Sequence, residues 1–365
     1  MAIIAASQFF PKTKKAKPVN IFISPQFEVL FGIDTSGELI REFEENYPNL
    51  RIQTAAQETA DIIFFDDGEF AGLVNAAEGD PALVSLSPYI DTETRAIPLV
   101  SFADLFFYNI DILKAVNRDR PPKTRAEFLA AARAVSGSGA RSGARVYGLA
   151  LGLSQADPLA LRRDIYPWIW ANGGDIHPPD TGGAGALPRA AADIITFLGQ
   201  LNREGLLAPG TFEKTGAQRL EEFARGEIAM MAASARVIPF LQALEPGINF
   251  GITAIPAAAQ GTNRLGLSEI YAGISGACTL PDEAWAFLAF ITEKKETLAA
   301  ALGAVPGSLS GAFPGSYITE SPLYSKAWDI FEAADIVEHT PGQPGGEEID
   351  RMLREKLSEA LSVPR

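Results

Sequence analysis

A chain of 365 residues, 47% hydrophobic and 21% charged, has the composition of a globular protein and the length for two cores. Its 31 Lys and Arg against 45 Asp and Glu leave a formal charge of −14, which gives no electrostatic purchase on phosphate backbones and argues against a nucleic-acid partner. No apolar run of about 18 residues is present to span a membrane, and one cysteine with two histidines excludes an internal disulfide and a His-rich metal site.

Met1 to Ser7 is small and apolar, but too short for a secretory signal and without a basic lead, so residues 1–17 read as a leader remnant or linker. Val19 to Ser24 is a strand cut off at Pro25, and the loop after it carries Phe27. Thr35-Ser36-Gly37-Glu38 fits a capping box, placing a helix after it with Leu39, Ile40, Phe43 and Tyr47 buried and Pro48 as its stop. Leu50 to Ile52 starts a second strand. Asp61 to Gly68 gives a third, with Asp66 and Asp67 at its end, and ligands bind at such carboxyl-end edges of open α/β sheets. Two further strands are expected at Ile97–Phe102 and Leu105–Asn109. Thr124 and Glu127 form a second capping box, for a helix through Val135.

The Gly/Ser stretch from Ser136 to Arg145 lacks the Gly-Lys-Ser/Thr of a phosphate cradle and reads as a surface loop. Tyr147 to Ala150 is a strand, Ile165 to Gly174 a helix end, and Ala191 to Glu204 a helix marked by Ile194, Ile195, Phe197, Leu198 and Leu201. From Leu220 to Pro256 the pattern is helix, strand, helix, strand, an α/β unit. Gly226 stops the first helix, because glycine takes the left-handed cap without steric cost. The uncharged Ala229-Met230-Met231-Ala232 is a strand buried on both faces. A helix over Val237–Leu244 and a short strand at Phe250, Ile252 and Ala254 follow. Glu269 to Ile274 reads as the loop entering another strand, and Cys278 as a buried structural thiol. The helix Pro281–Ile291 is apolar nearly all round, which argues full burial and places Trp285 in the core. Ile349, Leu353, Leu357 and Leu361 share the face of a C-terminal helix. His177 and His339 fall in proline-rich loops.

Several of these segments carry a resemblance. Phe223-x-x-Gly226-x-x-Ala229-Met230, Phe43-Glu44-x-x-Tyr47-Pro48, and Tyr108-Asn109 followed by Pro121-Pro122-Lys123-Thr124 and Glu127-Phe128 are similar to the extracellular solute-binding proteins of ABC importers, the family that includes maltose-binding proteins. The aromatic run before Gly173-Gly174 and the loop Val305-Pro306-Gly307-Ser308 fit the same family. The resemblance runs from about Val19 to the C-terminus. It departs in two places: the Arg51–Asp61 segment is too short for the helix most relatives carry, and Ala233-Ser234-Ala235-Arg236 stands where sugar-binding relatives often place a Trp.

The resemblance implies an α/β, two-lobed periplasmic-binding-protein fold, each lobe a mixed sheet flanked by helices, with hinge strands joining them. Residues 18–110 with 262–312 would form one lobe and 111–261 with 313–365 the other, crossing at Asn109–Leu113, Ala257–Leu267 and near Ser310–Ser316. It implies a monomeric, extracytoplasmic importer component, with lipid anchoring of the precursor left open, that closes on a small carbohydrate-like ligand and delivers it to membrane permeases. No cofactor is implied.

A sugar site needs flat apolar faces and fixed hydrogen-bonding groups. The candidates are Phe27, Asp66, Asp67, Glu269, Tyr271 and Ser308 on one lobe's side, and Trp168, Trp170 and Arg236 on the other. At most one of Trp168 and Trp170 is expected to reach a ligand, with Trp170 favoured, since the pair leans in opposite directions on one helix. Arg236 could instead meet an anionic ligand such as a phosphorylated polyol, because guanidinium binds phosphate in a bidentate way. Structural readings compete at each position: core packing for the tryptophans, a solvated strand end for Asp66 and Asp67, a helix-start surface Arg for Arg236. No Ser–His–Asp, Cys–His or Gly-x-Ser-x-Gly arrangement is present, so catalysis is not expected. A non-transport sensor or adhesin on the same fold is a further alternative, and a glycoside hydrolase would need at least Asp66 with Glu269.

Overall fold

The computed structural model describes residues 16–23, 33–74, 82–137, 145–157, 159–176, 187–258, 264–302, 304–306, 318, 320–337 and 346–362. In chain order its strands are β1 Lys17–Ile23, β2 Leu50–Thr54, β3 Ile62–Asp66, β4 Ile97–Asn109, β5 Tyr147–Leu149, β6 Ile228–Ser234, β7 Phe250–Thr253, β8 Arg264–Leu265, β9 Leu267–Ile274, β10 Val305–Pro306 and β11 Asp335–Ile336. The chain divides into two compact units, Met1–Phe102 with Ser268–Gly315 and Ala103–Leu267 with Ser316–Arg365. This division falls ahead of Asn109, inside β4. The two strands expected at Ile97–Phe102 and Leu105–Asn109 are one: Asp104, a residue type that could open a turn, is instead buried, its amide donating to the Gly266 carbonyl at 3.0 Å and its carboxylate accepting from Arg162 at 2.8 Å.

In the first unit β1 runs parallel to β2 and to β3, and β3 pairs antiparallel with β9. Val100 and Ser101 of β4 pair with β10. Helix Ile33–Asn46 packs against helix Pro281–Glu293 through Phe43, whose ring meets Phe287 edge-on at 4.9 Å and Phe290 at 5.4 Å. Of the expected apolar faces, Leu39, Phe43 and Trp285 are buried, while Ile40 and Tyr47 are half-buried. Helix Ile33–Asn46 starts earlier than its sequence suggested, so Thr35 lies within its first turn rather than ahead of it. The short Arg51–Asp61 segment holds only a 3₁₀ turn, Gln57–Thr59. Glu269 and Tyr271, expected in a loop entering a strand, lie within β9 itself: Ile270, Ala272 and Ile274 are buried, as a strand inside a sheet requires.

Gly273 of β9 sits where a Cβ would come 2.7 Å from the Arg95 carbonyl oxygen and 2.8 Å from a Leu83 methyl. The carbonyl cannot yield without disturbing the backbone. Gly273→Ala is expected to cost about 1–3 kcal/mol, read as an earlier urea midpoint with unchanged slope; an unchanged midpoint would show that the backbone here relaxes freely.

In the second unit the later part of β4 pairs antiparallel with β6 and β7, and β5 lies parallel to β6. β8 and β11 form a small parallel pair. The capping box at Thr124 is half realised: its Oγ1 accepts from the Glu127 amide at 3.2 Å, while Glu127 reaches past the Thr124 amide to accept from that of Lys123 at 2.7 Å, opening helix Arg125–Gly137. Gly226 has φ of 72°, the left-handed cap that ends helix Gly216–Ala224. Helix Arg189–Arg203 buries Ile194, Phe197, Leu198 and Leu201 and packs on the C-terminal helix Gly346–Leu361, which buries Leu353 and Leu357. Between β6 and β7 a 3₁₀ turn, Ala235–Val237, precedes a helix of only Ile238–Gln242, shorter than expected. The predicted helix end at Ile165–Gly174 is two short helices, Ala160–Asp164 and Tyr166–Ala171.

Candidate ligand-binding site

The first unit assembles its candidate group at the carboxyl end of β3. In a strand, residues two apart share a face, so Glu269 and Tyr271 stand together on β9. There the Tyr271 hydroxyl donates to Glu269 Oε2, and the Ser101 hydroxyl donates to Glu269 Oε1 at 3.0 Å. Two fixed donors orient one half-exposed carboxylate. Phe65 pairs across the sheet with Tyr271, which places the rings on the same face, stacked at 5.7 Å and 21°. Phe70, on helix Asp67–Val74, closes on Tyr271 at 4.7 Å. Tyr271 is thus only 7% exposed. It is a ring held inside an aromatic cluster and a donor to Glu269, rather than an open stacking platform.

Asp66 is buried at the end of β3 and pairs across the sheet with Ile270. Directly opposed residues share a face, so Asp66 lies on the Ile270 side and Glu269 on the other. Two carboxyls on opposite faces cannot flank one glycosidic bond, which removes the minimal hydrolase pair. Asp67 is not a strand residue: it begins helix Asp67–Val74. Phe27, Ser308, His177 and His339 lie outside the described residues.

In the second unit Arg236 follows the carboxyl end of β6, in the 3₁₀ turn that Ser234 caps by accepting from the Arg236 amide at 3.5 Å. Its side chain is half-buried. The tryptophans are elsewhere. Trp168, 1% exposed, packs edge-on against Phe106 at 5.5 Å and Phe128 at 5.7 Å. Trp170, 0% exposed, meets Tyr166 at 5.5 Å and lies under the Arg162 guanidinium at 4.6 Å. Both indoles fill the core of their own unit, because the short helix Tyr166–Ala171 is buried on every side. Neither offers a ring face to a ligand in this structure.

Two buried ion pairs that sequence reading passed over stiffen this unit. Arg162 donates to Asp104 at 2.8 Å and to the Leu267 carbonyl. Arg219 donates to Asp164 and to the Ala232 carbonyl, and Asp164 also accepts from the Gly152 amide at 2.8 Å. Burial raises the Asp104 carboxyl above its ordinary range, against the opposing pull of Arg162. Burial pushes Asp164 up to about 6, with Arg219 pulling the other way. Single polar residues inside apolar runs were the available signal for Ser101 and Asp104. Burial, with the Asp61 carboxylate adding to it, pushes the half-buried Cys278 thiol up to about 12, which leaves little thiolate for nucleophilic chemistry. Among the described residues no group of three or more His, Cys, Asp or Glu is placed to hold a metal, and no helix is long and apolar enough to cross a membrane.

Comparison with known proteins agrees with this architecture. The profile of the bacterial extracellular solute-binding protein family matches residues 33–297. A protein of Brucella abortus (strain 2308), named only as a binding protein, is 24% identical over 215 residues, covering 57% of this chain and 49% of its own length. The chain thus spans about half the length of the curated relatives it matches. Among solved structures, UgpB from Mycobacterium tuberculosis in complex with glycerophosphocholine superposes with a TM-score of 0.73 at 16% identity, over 95% of this chain and 94% of that one. The GacH receptor of Streptomyces glaucescens gives 0.69 at 17% identity, over 95% and 93%. The cyclic alpha-maltosyl-1,6-maltose binding protein of Arthrobacter globiformis gives 0.70 at 16% identity, over 95% and 96%. At such identities the likeness establishes the two-lobed α/β fold.

Proposed function

The chain belongs to the bacterial extracellular solute-binding protein family, and from that membership we propose that it is the substrate-binding component of an ABC importer, acting outside the cytoplasmic membrane as a monomer. It captures a small carbohydrate-like ligand by hinge closure and hands it to permease subunits. Closure is driven only by the difference in ligand affinity between open and closed states. The role is binding without turnover, and no cofactor enters it. The lobes follow the two units, with the chain crossing in β4 and beside β9.

One observation carries the ligand class: the Glu269 carboxylate, held by the Tyr271 and Ser101 hydroxyls beside an aromatic cluster. An ionised carboxylate only accepts hydrogen bonds. With about four acceptor sites on its two oxygens, a carboxylate oriented in this way suits the hydroxyls of a neutral polyol and repels an anion. Tyr271→Phe keeps the ring packing and removes one of those donors. It is expected to weaken a neutral-sugar ligand about 5-fold to 10-fold, the worth of one hydrogen bond, while Glu269→Ala abolishes binding.

The check is a thermal-shift panel of mono- and oligosaccharides, polyols, sugar phosphates, glycerophosphodiesters, polyamines and amino acids, since a ligand for the native state raises Tm with its excess over Kd. A sugar shift unchanged in both variants would remove Glu269 from the site. The second reading, an anionic solute such as a phosphorylated polyol, rests on Arg236 at the carboxyl end of β6. A shift confined to phosphorylated ligands and lost in Arg236→Ala would favour it. Silence across the panel would favour a sensor or adhesin on this fold.

A further inference from the structure

The second unit holds a cavity of about 420 Å³ that none of the candidate residues lines. Its floor is apolar: Leu153, Leu161, Phe212 and Leu357. Its rim is polar and carries one charge, Arg354, with Ser154, Gln155 and Ser358. Four parts of the chain meet there, namely the loop after β5, helix Ala160–Asp164, the segment ahead of helix Gly216–Ala224, and the C-terminal helix.

Arg354 is the unusual member. It is half-buried, yet no carboxylate among the described residues lies within ion-pairing distance of it. Of the acidic residues next to it on the helix, Asp350, one turn earlier, accepts from the Tyr166 hydroxyl, and Glu355 pairs with Arg351. A guanidinium beside an apolar floor, with no described carboxylate in direct ion-pairing contact, favours an anion, and two hydroxyl groups on the same rim can add donors. The Ser154 oxygen accepts from the Ala156 amide at 3.2 Å, which leaves its hydroxyl proton to give. The size falls within the range of small-molecule pockets, roughly 300–1,000 Å³.

We propose that this cavity is a second ligand site, taking a small amphipathic carboxylate with its head on Arg354 and the serine hydroxyls and its hydrocarbon body on Leu153, Leu161, Phe212 and Leu357. A planar guanidinium meets a carboxylate through two parallel hydrogen bonds, and the buried hydrocarbon supplies the apolar gain. The site is independent of Glu269 and Tyr271, which belong to the other unit.

The test is isothermal titration of the whole protein with hexanoate and with benzoate, beside hexanol and sodium sulfate as controls. Saturable binding of a carboxylate, at least about tenfold tighter than hexanol or sulfate, is expected from one charge-assisted pair combined with apolar burial. Two variants localise it. Arg354→Met keeps the volume and removes the charge; Ser358→Trp keeps the charge and fills the mouth from an exposed position. Each should lose binding by about tenfold or more with unaltered far-ultraviolet circular dichroism, and Tyr271→Phe should bind as the parent does. No carboxylate binding, binding equal to that of sulfate, or full binding by the folded Ser358→Trp variant would overturn the proposal.

Discussion

Arg219→Met is expected to destabilise the second unit by about 3–5 kcal/mol, because it leaves a buried carboxylate without its partner. Asp164 is nearly inaccessible, and Arg219 and the Gly152 amide are the groups that engage it. The sign of the pH dependence follows from Asp164 itself. Its folded carboxyl titrates at about 6, raised from 3.8 chiefly by burial. A group whose folded pKa is raised contributes stability that is full below the unfolded value and is lost as pH rises through the folded one. The carboxylate form is therefore the costly one, and Arg219 matters most where that form prevails. Urea unfolding should show a larger penalty for Arg219→Met at pH 7.5 than at pH 5, where the acid can take a proton instead. The double variant Asp164→Asn with Arg219→Met should recover a large part of the loss, since asparagine still accepts from Gly152 and no charge remains buried. Equal penalties at both pH values would mean that the arginine acts by packing alone.

The second large effect is at Trp168. Substitution by alanine is expected to cost about 3–5 kcal/mol, the range for deleting a large buried ring. The indole contacts Phe106, Phe128 and Phe197, so its loss opens a cavity at the centre of its unit. Its ring N–H is buried without a hydrogen-bond acceptor among the described residues. Trp168→Phe, which removes that unpaired donor and keeps a ring, should cost much less than Trp168→Ala. The measurement is paired: thermal unfolding for stability, and affinity of the folded fraction for whichever solute the panel identifies. A core residue lowers Tm by several degrees and leaves affinity alone. A fall in affinity with unchanged Tm would return Trp168 to the ligand.

These two residues mark the boundary of what sequence pattern can reach. The aromatic run before Gly173-Gly174 showed that rings would gather there, yet an indole that packs a core and one that stacks on a sugar have the same local spacing. Phe106, Phe128 and Phe197, distant along the chain, decide between the two. Glu269 and Tyr271 were singled out as candidates, but without their strand their shared face was invisible; once β9 is placed, the spacing of two puts both on one face, and Phe65 and Phe70 hold the ring where its hydroxyl reaches Glu269. Ser101 was missed because its signal, one hydroxyl inside an apolar strand, does not say which residue it will meet.

What the sequence by itself determined was local. Apolar periodicity, the Thr124–Glu127 box, Gly226 and the proline stops set most elements within a few residues, since helix and strand directions repeat every few positions. Alternating helix and strand pointed to the α/β class, and the resemblance of several motifs to the family. Only the tertiary structure decided that β4 is one strand, that Trp168 and Trp170 are core, that Asp66 and Glu269 stand on opposite faces, and that Asp164 is paired with Arg219. The reason is physical: a side chain's direction follows from its neighbours in sequence, but what fills the space it points into is set by segments tens to hundreds of residues away.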